Sequence, residues 1–193
     1  MTRRSLPLVT GGTLVWQSLL AAQAAVDPTV APRAAALERE GKRALATEML
    51  GRYLAVAPDD GNAWFQLGRF YLLNARDWHD SGHVGEPSVA LYLDFAATAL
   101  DQAVRLVVDS GPIFRGLVEM ERARSFVEDS GWVAARERRP RTDAPRLPGY
   151  LMELGANLLG SCPVGGVLIT GDEIETLAVW YAALEAGYRR DVQ

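Results

Sequence analysis

Two histidines set four residues apart, His79 and His83, are the side chains in this sequence most suited to chemistry. Asp77, Asp80 and Glu86 flank them. A His-x3-His pair on one helix presents both rings to a single zinc ion. Gly82 and Gly85 instead predict a loop, which reads better as an insert touching a partner, with Trp78 as its aromatic anchor. A second acidic group, Asp172, Glu173 and Glu175, has the oxygen chemistry of a hard-cation site. The simpler reading is a helix cap at Asp172, completed by Glu175 three residues on. Cys162 is the only cysteine, so no intrachain disulfide and no cysteine metal cluster is available. A lone cysteine of this kind is read as a small core residue.

No nucleophile elbow, phosphate loop or dinucleotide fingerprint occurs. Gly11-Gly12 and Gly165-Gly166 lack the rest of any such signature. The expectation is therefore a protein without catalytic residues, metal or cofactor. The net charge of −4 gives no global attraction to nucleic acid, and no basic run is interleaved with aromatics. With 193 residues, about half of them apolar, the chain has enough material for one cored domain with a small appendage.

The elements that position these groups are predicted to be helices. In Gly61-Asn-Ala-Trp-Phe-Gln-Leu-Gly-Arg-Phe-Tyr71, the residues Trp64, Leu67 and Tyr71 fall on one helical face. Gly68 leaves room beside Leu67 for a second helix. Pro58-Asp59-Asp60 supplies the turn and cap before it. Ala96, Leu100, Ala103 and Leu106 predict a following helix that begins late, after the Gly/Asp/His insert near residues 77–92. A further helix is predicted from Pro112 to about Glu128, with Phe114, Leu117, Val118 and Phe126 on one side.

Trp64, Leu67, Gly68 and Tyr71 resemble, in type and spacing, the first-helix signature of the tetratricopeptide repeat. A preceding repeat of 34 residues then runs from Asp27 to Asp60, with Ala34, Leu37, Gly41, Ala46 and Leu50 on family positions and Tyr53 replacing a small residue. Pro28 and Pro32 shorten its first helix. The resemblance covers about residues 27–128. It implies a mainly α fold of stacked helical hairpins, with a groove that holds peptides, loops or helices of partner proteins.

The ends are read separately. Arg3 and Arg4 precede a moderately apolar stretch from Leu6 to Ala22, an order like that of a secretory or twin-arginine signal. Gly11, Gly12, Gln17 and Ser18 dilute that stretch, so residues 1–26 are expected to form an arm packed on something, with export or anchoring as the alternative. Between 131 and 149, Arg136, Arg138, Arg139 and Arg141 with Pro140, Pro145 and Pro148 predict a basic linker, solvated or touching an acidic partner or anionic lipid.

Residues 150–193 are expected to form a small α/β unit: a helix over Tyr150–Leu159, a short strand at Gly165–Thr170, a helix capped by Asp172, and a second strand starting at Asp191. The runs Ala156-Asn-Leu-Leu159, Cys162-Pro163, Val167-Leu-Ile-Thr-Gly-Asp172, Thr176, Trp180-Tyr181 and Gly187-Tyr-Arg-Arg-Asp-Val192 are similar to a soluble segment of uncharacterised bacterial multi-spanning membrane proteins of the glycan-transferase kind. Glu173, Ile174 and Glu175 depart from that pattern. The resemblance implies membrane-linked descent.

Together these readings predict a non-catalytic scaffold subunit, peripheral to the inner membrane and on its cytoplasmic face. It would stabilise a membrane-associated protein complex, such as a respiratory or photosynthetic assembly. The alternatives are a fragment of a membrane enzyme, or a small metal-dependent, glycan-active enzyme centred on Asp172.

Overall fold

The computed structural model describes residues 26–82, 87–137, 146–189 and 191–192. Seven α-helices account for most of them: α1 (Val30–Arg39), α2 (Arg43–Leu54), α3 (Gly61–Asp80), α4 (Pro87–Arg105), α5 (Gly111–Glu137), α6 (Gly149–Ser161) and α7 (Glu173–Trp180). The last continues as a π-helical turn, Tyr181–Glu185. Helices α1 and α2 pack together, as do α3 and α4; α3 also touches α1, α2 and α5.

Each local choice has a cause. Pro32 sits in the first turn of α1, where its missing N–H is tolerated. Asp60 caps α3, its Oδ1 accepting from Ala63 N at 3.0 Å. The indole of Trp64 donates to the Pro58 carbonyl at 2.8 Å, fixing the turn before the helix. Tyr53 joins both ends of the first hairpin. Its hydroxyl accepts from Asp27 N at 2.7 Å and donates to Asp60 Oδ2 at 2.9 Å.

Helix α3 lies between two cores. Towards α1 and α2, Leu67 and Phe70 pack with Ala34, Ala46, Leu50 and Leu54. Towards the other side, Leu72 and Ala75 pack with Leu93, Ala96, Leu100, Leu117 and Val118. Full burial of a Leu or Phe side chain stabilises by roughly 1.5–3 kcal/mol. Gly68 lets α3 and α4 approach closely: a Cβ there would stand 2.5 Å from Leu100 Cγ and 3.2 Å from its backbone nitrogen.

Charged pairs fix how α5 lies. On one side Arg115 bonds Asp101 and Glu119, and Arg122 bonds Glu119 and Asp94 of α4. On another, Glu121 accepts from Arg76 Nε at 2.6 Å, and Arg124 bonds Asp80 and Glu128. Arg115, Glu119 and Glu121 are buried. Buried pairs of this kind set the register of packing more than they raise stability.

Three expectations are corrected here. Helix α3 continues through Asp77, Trp78, His79 and Asp80, where the sequence predicts a loop, and α4 already begins at Pro87. The chain stays helical to Glu137, so Trp132–Glu137 belongs to α5 and not to a linker. The break occurs within it, at Gly131, whose φ of 83° and ψ of 162° only glycine adopts readily. Finally, among the described residues no strand forms. Leu168 turns inward beside Leu159, Val179 and Ala183, while Val167 and Ile169 face solvent, and no second strand lies alongside. A single short strand has no ladder to satisfy its backbone.

The C-terminal helices are joined to the rest, not appended. Leu147, Leu151, Leu177 and Ala178 share one core with Leu100 and Leu117. Gly155 lets α6 meet the backbone carbonyl of Ala178 in α7. Arg189 then clasps the turn after α6. Its guanidinium donates to the carbonyls of Leu159, Cys162 and Pro163 and to Asp191.

Candidate partner-binding surface

The repeat-signature residues are brought together. Leu67 and Gly68 are buried, while Trp64 and Tyr71 are half-buried against the core shared with α1 and α2. Tyr71 also reaches α4, with ring centroids 5.3 Å from Phe95 and 6.5 Å from Tyr92. Burial, with Tyr92 adding to it, pushes the Tyr71 phenol above its ordinary value.

Of the partner-contact candidates, Trp78 and His79 lie within the described residues. Trp78 lies on the last turns of α3 and is 38 % exposed. His79, one residue on, is 5 % exposed, and its Nε2 stands 2.9 Å from Glu128 Oε2 of α5. It therefore ties α3 to α5 and presents no ring to a partner. The sequence expectation fails because helix periodicity turns His79 inward as Trp78 turns outward. His83, Arg138, Arg139 and Arg141 lie outside the described residues, as does the side chain of Arg136. The same holds for the N-terminal arm before Val26.

The acidic group at α7 is committed to structure. Asp172 Oδ1 accepts from Glu175 N at 2.8 Å, and Glu175 Oε2 accepts from Gly171 N at 2.9 Å. Glu173 pairs with Arg76 of α3. The three carboxylates thus point to three different donors. Among the described residues, no three His, Cys, Asp or Glu side chains are grouped to hold a metal ion.

Two surfaces stand out among the described residues. At the N-terminal end of α3, Asn62 and Gln66 border two adjoining clefts. One, of about 290 Å³, is completed by Val26, Pro28, Ala31, Pro32 and Asp60. The other, of about 470 Å³, is completed by Phe65 and the α4–α5 turn, Leu106–Ser110. Gln66 Oε1 accepts from Arg69 at 3.0 Å, leaving its amide N–H groups for another acceptor. Side-chain amides lining a cleft suit the backbone of a bound polypeptide, which offers donors and acceptors alternately.

The other surface is an apolar ridge on α4. Leu91 and Phe95 are 51 % and 43 % exposed, beside Tyr92 and Tyr71. Sequence reasoning passed over this ridge. Its signal is the i, i+4 spacing of Leu91 and Phe95 on the side of α4 away from Ala96 and Leu100. No described helix is long and apolar enough to cross a membrane.

No family model, curated protein or solved structure matches the chain.

Proposed function

We propose that this protein is a non-catalytic adaptor, built from tetratricopeptide-like helical hairpins, that holds other subunits of a membrane-associated complex. The observation that carries the reading is the seam. Trp64, Leu67 and Tyr71 pack α3 on α1 and α2 while Gly68 admits Leu100 of α4, and this packing supports the reading of stacked hairpins. Such stacks bury one face per repeat and leave extended surfaces for partners. The amide-lined clefts at Asn62 and Gln66 take an extended segment of one partner. The Leu91/Phe95 ridge supplies an aromatic contact for a second, in the way large exposed apolar side chains anchor interfaces. The membrane link rests on the resemblance of residues 150–192 to soluble segments of multi-spanning proteins.

The test is mild detergent purification of the full chain from its native membrane, followed by mass spectrometry of what co-elutes. Stoichiometric co-elution with membrane subunits is expected. An N62R/Q66R pair should release one partner, and an L91E/F95E pair another, with circular dichroism unchanged. Elution of the wild-type chain as a lone soluble monomer overturns the reading.

A further inference from the structure

Between α6 and α7, residues 166–171 have the pattern of a strand without the neighbour that would make one. Exposure alternates along them. Val167 and Ile169 are 72 % and 89 % exposed, while Leu168 between them packs towards Leu159, Val179 and Ala183. A period of two marks extended chain lying on a core. Val167 to Thr170 lie outside every helix, and their backbone N–H and C=O groups make no hydrogen bond to a described residue. The segment is clamped at both ends. Gly165 N donates to Asp191 Oδ2 at 3.0 Å, and Gly171 N donates to Glu175 Oε2 at 2.9 Å. The Thr170 hydroxyl shares a hydrogen bond of 2.6 Å with Thr176. Between the clamps stands a row of free backbone donors and acceptors that is already ordered, and ordering done in advance lowers the cost of pairing.

The chemistry of the row selects its occupant. Proteins protect exposed strand edges with lysine, proline, an inward charge or a bulge. No charged residue occurs from Ser161 to Gly171, and Val167 and Ile169 are β-branched, as strands favour. A lipid surface suits this row poorly, because backbone groups left unpaired in hydrocarbon cost several kcal/mol each. A second strand satisfies them. Among strands, the segment complements itself. When two copies pair antiparallel about a two-fold axis at Leu168, Val167 of each stands opposite Ile169 of the other, and these exposed side chains cover one another. In that register Asp172 falls opposite Val164 and Glu173 opposite Pro163, so no like charges face each other across the axis.

We propose that residues 166–171 are a self-association edge, through which two copies of this chain form a reversible homodimer by an antiparallel ladder centred on Leu168. One short ladder covers less than the ~1,200 Å² of a small stable interface, so the dimer is weak, with a dissociation constant in the micromolar range. The edge shares no residue with the Asn62/Gln66 clefts or the Leu91/Phe95 ridge. Its failure leaves the partner reading intact.

The experiment is sedimentation equilibrium of the full chain over a range of about 1 to 300 µM, where mass action reveals a weak dimer. The average mass should rise from the 21.0 kDa of one chain towards twice that value. Ile169→Lys places a cation on the paired face and should weaken association about tenfold or more, with circular dichroism unchanged. Val167→Lys repeats the test should that variant lose its helical signal. Val56→Lys, at a valine 58 % exposed after α2, should leave association as it was. The register is read by crosslinking in a Cys162→Ser background. Oxidation of mixed Val167→Cys and Ile169→Cys chains should join one kind to the other, while each kind alone stays largely unlinked. Val167→Cys chains that link to themselves more readily overturn the proposal. So does association that Ile169→Lys spares or that Val56→Lys weakens equally. A chain that stays monomeric throughout overturns it too, whether the segment then takes another protein's strand or phosphatidylglycerol vesicles.

Discussion

Gly68 and Gly51 make a direct comparison at the scale of single residues. Both lie inside helices, where alanine is better than glycine by roughly 1 kcal/mol. At Gly51 an added Cβ meets nothing within 4 Å, so Gly51→Ala should raise stability by about 0.5–1 kcal/mol. At Gly68 the same carbon collides with Leu100, including its backbone nitrogen, and helices α3 and α4 must separate. Overpacking of this kind costs about 1–3 kcal/mol, which exceeds the propensity gain. Gly68→Ala should therefore destabilise. Urea denaturation of the two variants checks both signs. Tyr53 is a second case: burial first, then its bond to Asp60, raises the phenol above its ordinary value. A raised phenol favours the neutral folded form. Its contribution is complete below the unfolded value of about 10 and fades as pH climbs past it. Tyr53→Phe should remove this alkaline dependence.

At the scale of elements, buried charge pairs fix how α5 lies. Arg76 joins it to α3 through Glu121 and to α7 through Glu173. Replacing Arg76 by alanine leaves Glu121 buried with only the more distant Arg124, 3.7 Å away. The expected loss is about 3 kcal/mol, because an uncompensated buried charge is more costly than a missing pair is valuable. The double variant Arg76→Met, Glu121→Leu should recover most of that loss, and chemical denaturation of the single and double variants decides it. A double variant no more stable than Arg76→Ala contradicts the account. His79 and Glu128 add a contact further along the same two helices.

For the whole molecule, the C-terminal helices are expected to unfold together with the hairpins, since they share a core. The last closure is Arg189 with Asp191. Bonds from Arg189, and from Gly165 N, hold the Asp191 carboxyl well below the ordinary carboxylate range. A depressed folded value means that this stabilisation is fully present above the unfolded value of about 3.9 and is lost as pH falls below it. The melting temperature of wild type should exceed that of Asp191→Asn at pH 7, and the gap should shrink below about pH 4. A gap that stays constant through that range rules the clasp out as its source.

Much of the helical order was determined by the sequence alone. Periodicity at Trp64, Leu67 and Tyr71, the cap at Asp60, the small Gly68 and the capping pair at Asp172 and Glu175 are local signals, and local hydrogen bonds and side-chain spacing suffice to realise them. What only the tertiary structure decided depends on residues far apart in the chain. His79 became a buried partner of Glu128 because α5 passes beside α3. Trp132 met Trp180 because Gly131 turns the helix end onto it. Among the described residues no second strand lies beside the Gly165–Thr170 segment, so it forms no ladder. Periodicity names the face a side chain occupies; which helix covers that face is set by long-range packing and the close approach of small residues.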